Sequence, residues 1–172
     1  IEDWDAIDGF SPAVRDETAY QARLRAAIAA HTDKSTPFIT WGYHHYFHGP
    51  MDRALLDQLA PDFPVIVWHR SAHEFYLNSA AERRFGITRE WFDALSDAQQ
   101  KQSDFANAHY WEQGWFAILP KVAPGVASPD RIRAGLKFVE DYFHANGVTL
   151  GCEPGGIASK DAQDLQNSVM SS

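Results

Sequence analysis

Asp62-Phe63-Pro64-Val65-Ile66-Val67-Trp68-His69 is the stretch on which the fold turns. Pro64 ends whatever precedes it, because its ring removes a backbone donor and pushes the residue before it out of helical geometry. Val65 to His69 is then a near-continuous apolar run, as expected of a strand buried on both faces. A second stretch, Phe38 to Tyr46, is rich in β-branched and aromatic residues and starts directly after Thr36-Pro37. Between the two, Gly49-Pro50 marks a turn, and Met51 to Leu59 reads as a helix with Leu55, Leu56 and Leu59 inward. The expectation is an α+β unit: a small mixed sheet with strands near residues 38–46 and 64–69, flanked by helices.

Working outward, residues 1–16 are acidic and irregular, with Gly9 and Pro12 as breakers. From Glu17 to His31 the residues Tyr20, Leu24, Ala27, Ile28 and His31 fall at spacings of three and four, which predicts a helix. Residues 71–77 fit either a strand or the start of a helix. Asn78 to Phe85 reads as a helix closed by Gly86. Thr88-x-x-Trp91 and Ser96-x-x-Gln99 open two more short helices, the second with a capping-box pattern. Residues 103–127 give no clear period, because Gly114, Pro120, Pro124 and Gly125 interrupt the aromatic run of Trp111, Trp115 and Phe116. Ser128-Pro129-Asp130 opens the clearest helix, with Ser as N-cap and Pro in the first turn. Its inner stripe is Ile132, Leu136, Val139 and Phe143, and it ends at Asn146-Gly147. Val148 to Cys152 reads as a short strand, Glu153-Pro154-Gly155-Gly156 as a loop, and Lys160 to Met170 as a helix. That last run has the form of a parallel α/β unit.

The chain has 172 residues, enough for one domain with a sizeable core. Aromatic residues make up 13% of it, a surplus that suits a cavity lining or an interface, and suits a large core equally well. A net charge of −8 and a pI near 5.4, with no Lys/Arg cluster beside aromatic side chains, exclude a nucleic-acid footprint. No apolar run is long enough to span a bilayer. The single cysteine, Cys152, excludes an internal disulfide and a Cys-rich zinc site, and points to a reducing compartment such as the cytoplasm. It has no paired His, Cys or basic neighbour and reads as a small buried residue. A start at Ile1 and an end at Ser171-Ser172, straight after an amphipathic stretch, lead us to expect a piece of something longer.

An ordered series of stretches carries a resemblance. Trp41-Gly42-Tyr43 precedes a helix with Arg53, Leu55, Leu56, Asp57 and Leu59. Pro61-Asp62-Phe63-Pro64-Val65 follows, then His73-Glu74-Phe75-Tyr76-Leu77-Asn78-Ser79-Ala80-Ala81, and later Phe143-His144-Ala145-Asn146-Gly147-Val148-Thr149. In this order and spacing they resemble the amidohydrolase family 3 group of metal-dependent hydrolases, which includes N-substituted formamide deformylase. The resemblance covers residues 18–88 and 128–152. Family members also carry a His-x-His metal pair at the end of the first barrel strand, and no His-x-His occurs here. Nor does Gly114-Trp115-Phe116-Ala117-Ile118 place a Glu where the family has one.

What the resemblance implies is an internal fragment of a (β/α)-barrel hydrolase. Residues 1–146 are then an insert that shapes the substrate cavity, and residues 147–172 a β-α segment of the parent barrel. The parent would hydrolyse a carbon–nitrogen bond in a small amide or formamide, with a divalent metal, zinc first among the candidates, activating water and polarising the carbonyl. The metal ligands would lie outside this chain. By itself the chain is expected to be inactive and to bind zinc or nickel no more tightly than any His-bearing surface. Its partners would be the substrate, the rest of the barrel and, through unpaired strand edges, a second copy of itself. The rival readings are a ligand-binding module without chemistry and a helix-rich dimerisation domain.

Candidate residues follow from both lines. His73 and Asn78 match the family spacing, and neutral His and Asn each offer donors and acceptors suited to orienting an amide. Equally, His73 can close a strand end and Asn78 can cap the helix beginning at Ser79. Glu153, directly after the strand ending at Cys152, would emerge at the catalytic face of a barrel, or simply begin a Pro-Gly-Gly loop. Gly155-Gly156 with Ser159 could cradle an anion at a helix start. His44-His45-x-x-His48 would suit zinc if the segment were helical. Its Trp-Gly-Tyr and Gly-Pro flanks favour a strand end and loop, with a mix of solvated and packed rings.

Overall fold

In the computed structural model, which describes residues 14–150 and 160–170, two proline-led strands form the parallel part of the sheet. β1 (Phe38–Tyr43) follows Pro37, and β2 (Val65–His69) follows Pro64. They pair in parallel from Phe38↔Val65 to Tyr43↔His69. The register slips between Trp41 and Tyr43, where Gly42 adopts φ +105°, a backbone state that a side chain would strain. Parallel strands need a crossover, and here it carries α2 (His45–His48) and α3 (Arg53–Leu59). β3 (Glu74–Leu77), β4 (Ser103–Asp104) and β5 (His109–Trp111) add antiparallel pairings, giving the order β1-β2-β3-β5-β4. The expected small mixed sheet flanked by helices is present, with five strands.

Both faces of the sheet are covered, which is why β2 is apolar throughout. On one face Tyr43, Val65, Val67 and Tyr76 pack with Tyr20, Leu24 and Ile28 of α1 (Glu17–Ala30) and with Leu56 of α3. Those three α1 residues lie on one stripe, and Asp16 caps the helix by accepting from Ala19 N–H at 2.8 Å. On the opposite face, Trp68 and Phe75 meet Trp115 at centroid distances of 6.3 and 5.8 Å. Trp115, Ile118 and Val122 are the buried stripe of α7 (Gln113–Val126). Pro120 and Pro124 lie inside that helix, at a cost of about 3 kcal/mol each in an ordinary helix interior, so burial of the stripe outweighs local preference. Gly114 lets α7 begin hard against the chain, since a Cβ there would fall 2.1 Å from the Gln102 carbonyl oxygen.

α4 (Ser79–Phe85) closes at Gly86 in the left-handed conformation, and Glu82 on it is buried beside Tyr110 and a partly exposed Arg53. Arg53 Nη2 reaches Glu82 at 3.1 Å, and the Tyr110 hydroxyl donates to it at 2.9 Å. Arg53 also donates to the Phe105 carbonyl. Burial, partly offset by Arg53, raises the Glu82 pKa. α5 (Arg89–Asp93) starts at Thr88, and α6 (Asp97–Lys101) starts at the predicted Ser96/Gln99 capping box.

The chain divides into two compact units, residues 1–125 and 126–172. In the second, α8 (Pro129–Ala145) packs with α9 (Lys160–Met170). Ser128 caps α8 by accepting from Arg131 N–H, as the sequence indicates. The strand expected over 148–152 is not formed across its described part, residues 148–150. The described residues of this unit include no strand for it to pair with, and Leu150 stands 89% exposed. No barrel is formed among the described residues. No described helix is long and apolar enough to cross a membrane.

Candidate functional site

The paired carboxyl ends of β1 and β2 bring histidines together. Tyr43 lies beside His69 in register, so the next residues, His44 and His45, turn back over the end of β2. Here the segment expected to be strand end and loop winds into one helical turn, α2, because His44 acts as its N-cap: His44 Nδ1 accepts from Tyr46 N–H at 3.2 Å. One nitrogen from each of His44, His45 and His69 lies within 4.8 Å of the others. The rings of His44 and His69 are 4.9 Å apart, centroid to centroid.

His48 takes no part. Its Nδ1 accepts from His44 N–H at 3.0 Å, its Nε2–H donates to the Val14 carbonyl at 2.9 Å, and its ring stacks on Tyr20 at 4.2 Å. The i, i+4 pair of His44 and His48 is thereby taken apart, and His48 is a buried structural residue.

Behind His69 lies a carboxylate. Glu74 Oε1 is 3.5 Å from His69 Nδ1, and Oε2 accepts from His109 Nε2 at 2.9 Å. The His109 ring stacks on Tyr76 at 4.1 Å. Residues two apart on a strand share a face, so Glu74 and Tyr76 of β3 lie on the side that also carries Val67 and His69. The hydrogen bond from His109 holds the Glu74 carboxyl below its ordinary pKa despite burial. Burial pulls His69 down to about 4, against the attraction of Glu74. Burial also lowers His44, helped by the charges of His45 and Arg70. At neutral pH these two rings are uncharged, so each keeps one nitrogen lone pair, which on His44 is the Nδ1 that takes the Tyr46 N–H.

A cleft of about 310 Å³ opens beside this group, with Tyr43, His45, Asp52, Tyr76, Asp104 and His109 in its walls. Asp52 also caps α3 through Leu55 N–H, and Asp104 grips Asn107 through its backbone N–H and its amide. The cleft is therefore lined by tyrosine, imidazole and carboxylate groups, a setting for a small polar molecule.

The residues singled out from sequence are not gathered there. Asn78 is fully buried, and its amide is spent: Oδ1 accepts from Val65 and Ala81 N–H at 3.0 and 2.8 Å, and Nδ2 donates to the Ala60 and Phe63 carbonyls at 2.7 and 2.9 Å. With no donor or acceptor left, it is a clamp and helix cap, the alternative its position allowed. His73 sits on the turn before β3, half-exposed, stacked on Trp115 at 5.7 Å with Nδ1 3.3 Å from Glu112 Oε2. Ala72 and Glu112 flank it at φ +66° and +44°. Glu153, Cys152 and the Gly155-Gly156 loop lie outside the described residues. His69 escaped the sequence reading; the signal was that two strands, each led by Pro, both run into His.

No protein-family model matches the sequence, and neither does any curated protein. Solved structures do share its fold. One is an uncharacterized metal-dependent hydrolase from Pyrococcus horikoshii OT3, at 15% identity and a TM-score of 0.53, over 78% of this chain and 24% of that one. Another is an uncharacterized metal-dependent hydrolase from Pyrococcus furiosus, at 14% identity and a TM-score of 0.52, over 74% of this chain and 25% of that one. At such identities the likeness is one of fold. The chain spans about a quarter of the length of either.

Proposed function

We propose that this chain is the cavity-shaping part of a metal-dependent hydrolase whose full-length form cleaves a carbon–nitrogen bond in a small amide or formamide. The observation that supports it is the shared fold with a quarter of each of two proteins named as metal-dependent hydrolases. The bond class rests on the resemblance carried by the ordered series from Trp41-Gly42-Tyr43 to Val148-Thr149. In this reading a divalent metal held by the rest of the parent activates water and polarises the carbonyl. His73, flat against Trp115 and half in water, is the residue placed against substrate, with Glu153 as a second. Asn78 serves indirectly, by fixing the strand and helix on either side of it. Self-association and a cytoplasmic setting belong to the same proposal.

The test is turnover by the complete protein that contains this chain, before and after treatment with a chelator. N-substituted formamides and short amides are offered beside the matching esters, and release of amine is followed. Chelator-sensitive amine release, reduced in His73→Ala, is the expected result. Cleavage of esters alone overturns the bond class. Ligand binding in the cleft with no turnover of any substrate would leave a binding module in place of an enzyme.

A further inference from the structure

We propose that His44, His45 and His69 form a site within this chain for a borderline divalent transition-metal ion, of the class of zinc, cobalt and nickel. Three features carry it. The first is convergence: the ends of two parallel strands place three imidazole nitrogens within 4.8 Å of one another. The ligand type is the second, since imidazole suits these ions and not magnesium or calcium.

The third is an orphaned atom. His69 is 4% exposed, and its Nε2 is buried with no hydrogen-bond partner. Its other nitrogen, Nδ1, lies 3.1 Å from Ser71 N and 2.9 Å from Ser71 Oγ. If Nδ1 accepts from the Ser71 N–H, Nε2 carries a proton with nothing to receive it. If Nδ1–H donates to Ser71 Oγ or to Glu74, Nε2 keeps a bare lone pair. A cation satisfies the second state, in which the contact with Ser71 N–H is given up and Nδ1–H has Ser71 Oγ at 2.9 Å and Glu74 at 3.5 Å as acceptors. An oxygen behind the far ring nitrogen is what fixes ligand histidines in known sites.

Bonds of 2.0–2.1 Å in a tetrahedral site set the nitrogens about 3.3 Å apart, so the group must contract on binding. His45 can do this by rotation, because it is exposed on a one-turn helix. His44, whose Nδ1 accepts the Tyr46 N–H, must release that cap bond to offer its one lone pair to the ion. His48, with both nitrogens spent, adds no fourth ligand. Three protein ligands are the number used where a position is left for water or substrate, and His45 also forms part of the cleft wall. This goes beyond the hydrolase reading, which puts the hydrolytic metal elsewhere in the parent; metal binding and turnover are measured separately, so either can fail alone.

The experiment uses the untagged chain. It is loaded with zinc, dialysed against metal-free buffer, and assayed for zinc per chain; cobalt then reports geometry through its visible absorption, and competition with a coloured chelator gives affinity. The expected result is one ion per chain with a four-coordinate cobalt spectrum. Each of His44→Ala and His45→Ala should weaken binding by roughly tenfold or more, while His144→Ala on α8 should not. His45 is exposed, so His45→Ala should leave far-ultraviolet circular dichroism unchanged. His44 also caps α2, so His44→Asn, which keeps a capping acceptor, is measured beside His44→Ala. Should His69→Gln fail to fold, these variants still decide. Zinc lost on dialysis, or affinity indifferent to His44→Ala and His45→Ala, overturns the site.

Discussion

Replacing Asn78 separates a structural residue from a substrate-binding one. Its side chain joins four backbone groups: Val65 and Ala81 N–H, and the Ala60 and Phe63 carbonyls. Asn78→Ala removes the α4 cap, worth about 1 kcal/mol, and leaves three further buried groups short of a partner, at roughly 1 kcal/mol or more each. The sum is a loss of about 4 kcal/mol, most of the stability of many small domains. Asn78→Asp keeps both acceptors but turns an oxygen towards two carbonyl oxygens that now sit 2.7 and 2.9 Å from Nδ2. Ionised, it is repelled; protonated, it can donate to one of them. Its folded pKa should therefore rise above the unfolded value of about 3.9. Stability is then retained at low pH and lost as pH climbs through the folded pKa. Urea titrations followed by tryptophan fluorescence, at acidic and neutral pH, read both effects. An Asn78→Ala variant that loses under about 1.5 kcal/mol, against buried-group costs of the size above, would refute the clamp. So would an Asn78→Asp variant whose stability ignores pH.

Glu82, with its raised pKa, holds its proton longer in the folded chain than in the unfolded one. Wild type should lose stability relative to Glu82→Gln as pH rises from the unfolded value through the folded one, then run level; a gap that widens in the other direction would contradict this. α8 leaves Phe138 70% and Tyr142 57% exposed, and apolar area of that kind favours self-association. Light scattering on the concentrated chain should report a dimer or larger species, diminished in Phe138→Glu; a strict monomer would end that expectation.

What the sequence made legible is mostly local. The Ser128 cap with Pro129, the Ser96/Gln99 box, the Tyr20/Leu24/Ile28 stripe and the Gly86 stop each depend on residues a turn or two apart. β1 and β2 were legible because each is a short apolar run bounded by Pro. Other elements depended on partners far along the chain. α7 hides behind Pro120 and Pro124 because its reason for being a helix is the aromatic face of the sheet. β3 looked ambiguous until paired on both edges. Over 148–150 the opposite held: a strand-like pattern without a neighbour is not a strand. The histidine group shows the same division, since His44 and His45 announce themselves while His69 joins them only through parallel pairing.

That pairing also sets how differently the three histidines are anchored. His69 ends a strand whose Val65, Ile66 and Val67 are wholly enclosed between two neighbours, so their amide hydrogens should exchange with deuterium only in openings close to global unfolding. His44 and His45 ride on a single turn with Tyr46 79% in water, where small, frequent openings suffice. The site is thus half fixed and half loose. Anything that bridges the two halves should transfer protection from strand to turn, appearing as slowed exchange at Phe47, His48 and Gly49, whose amides bond back to His44 and His45, with little change in β2.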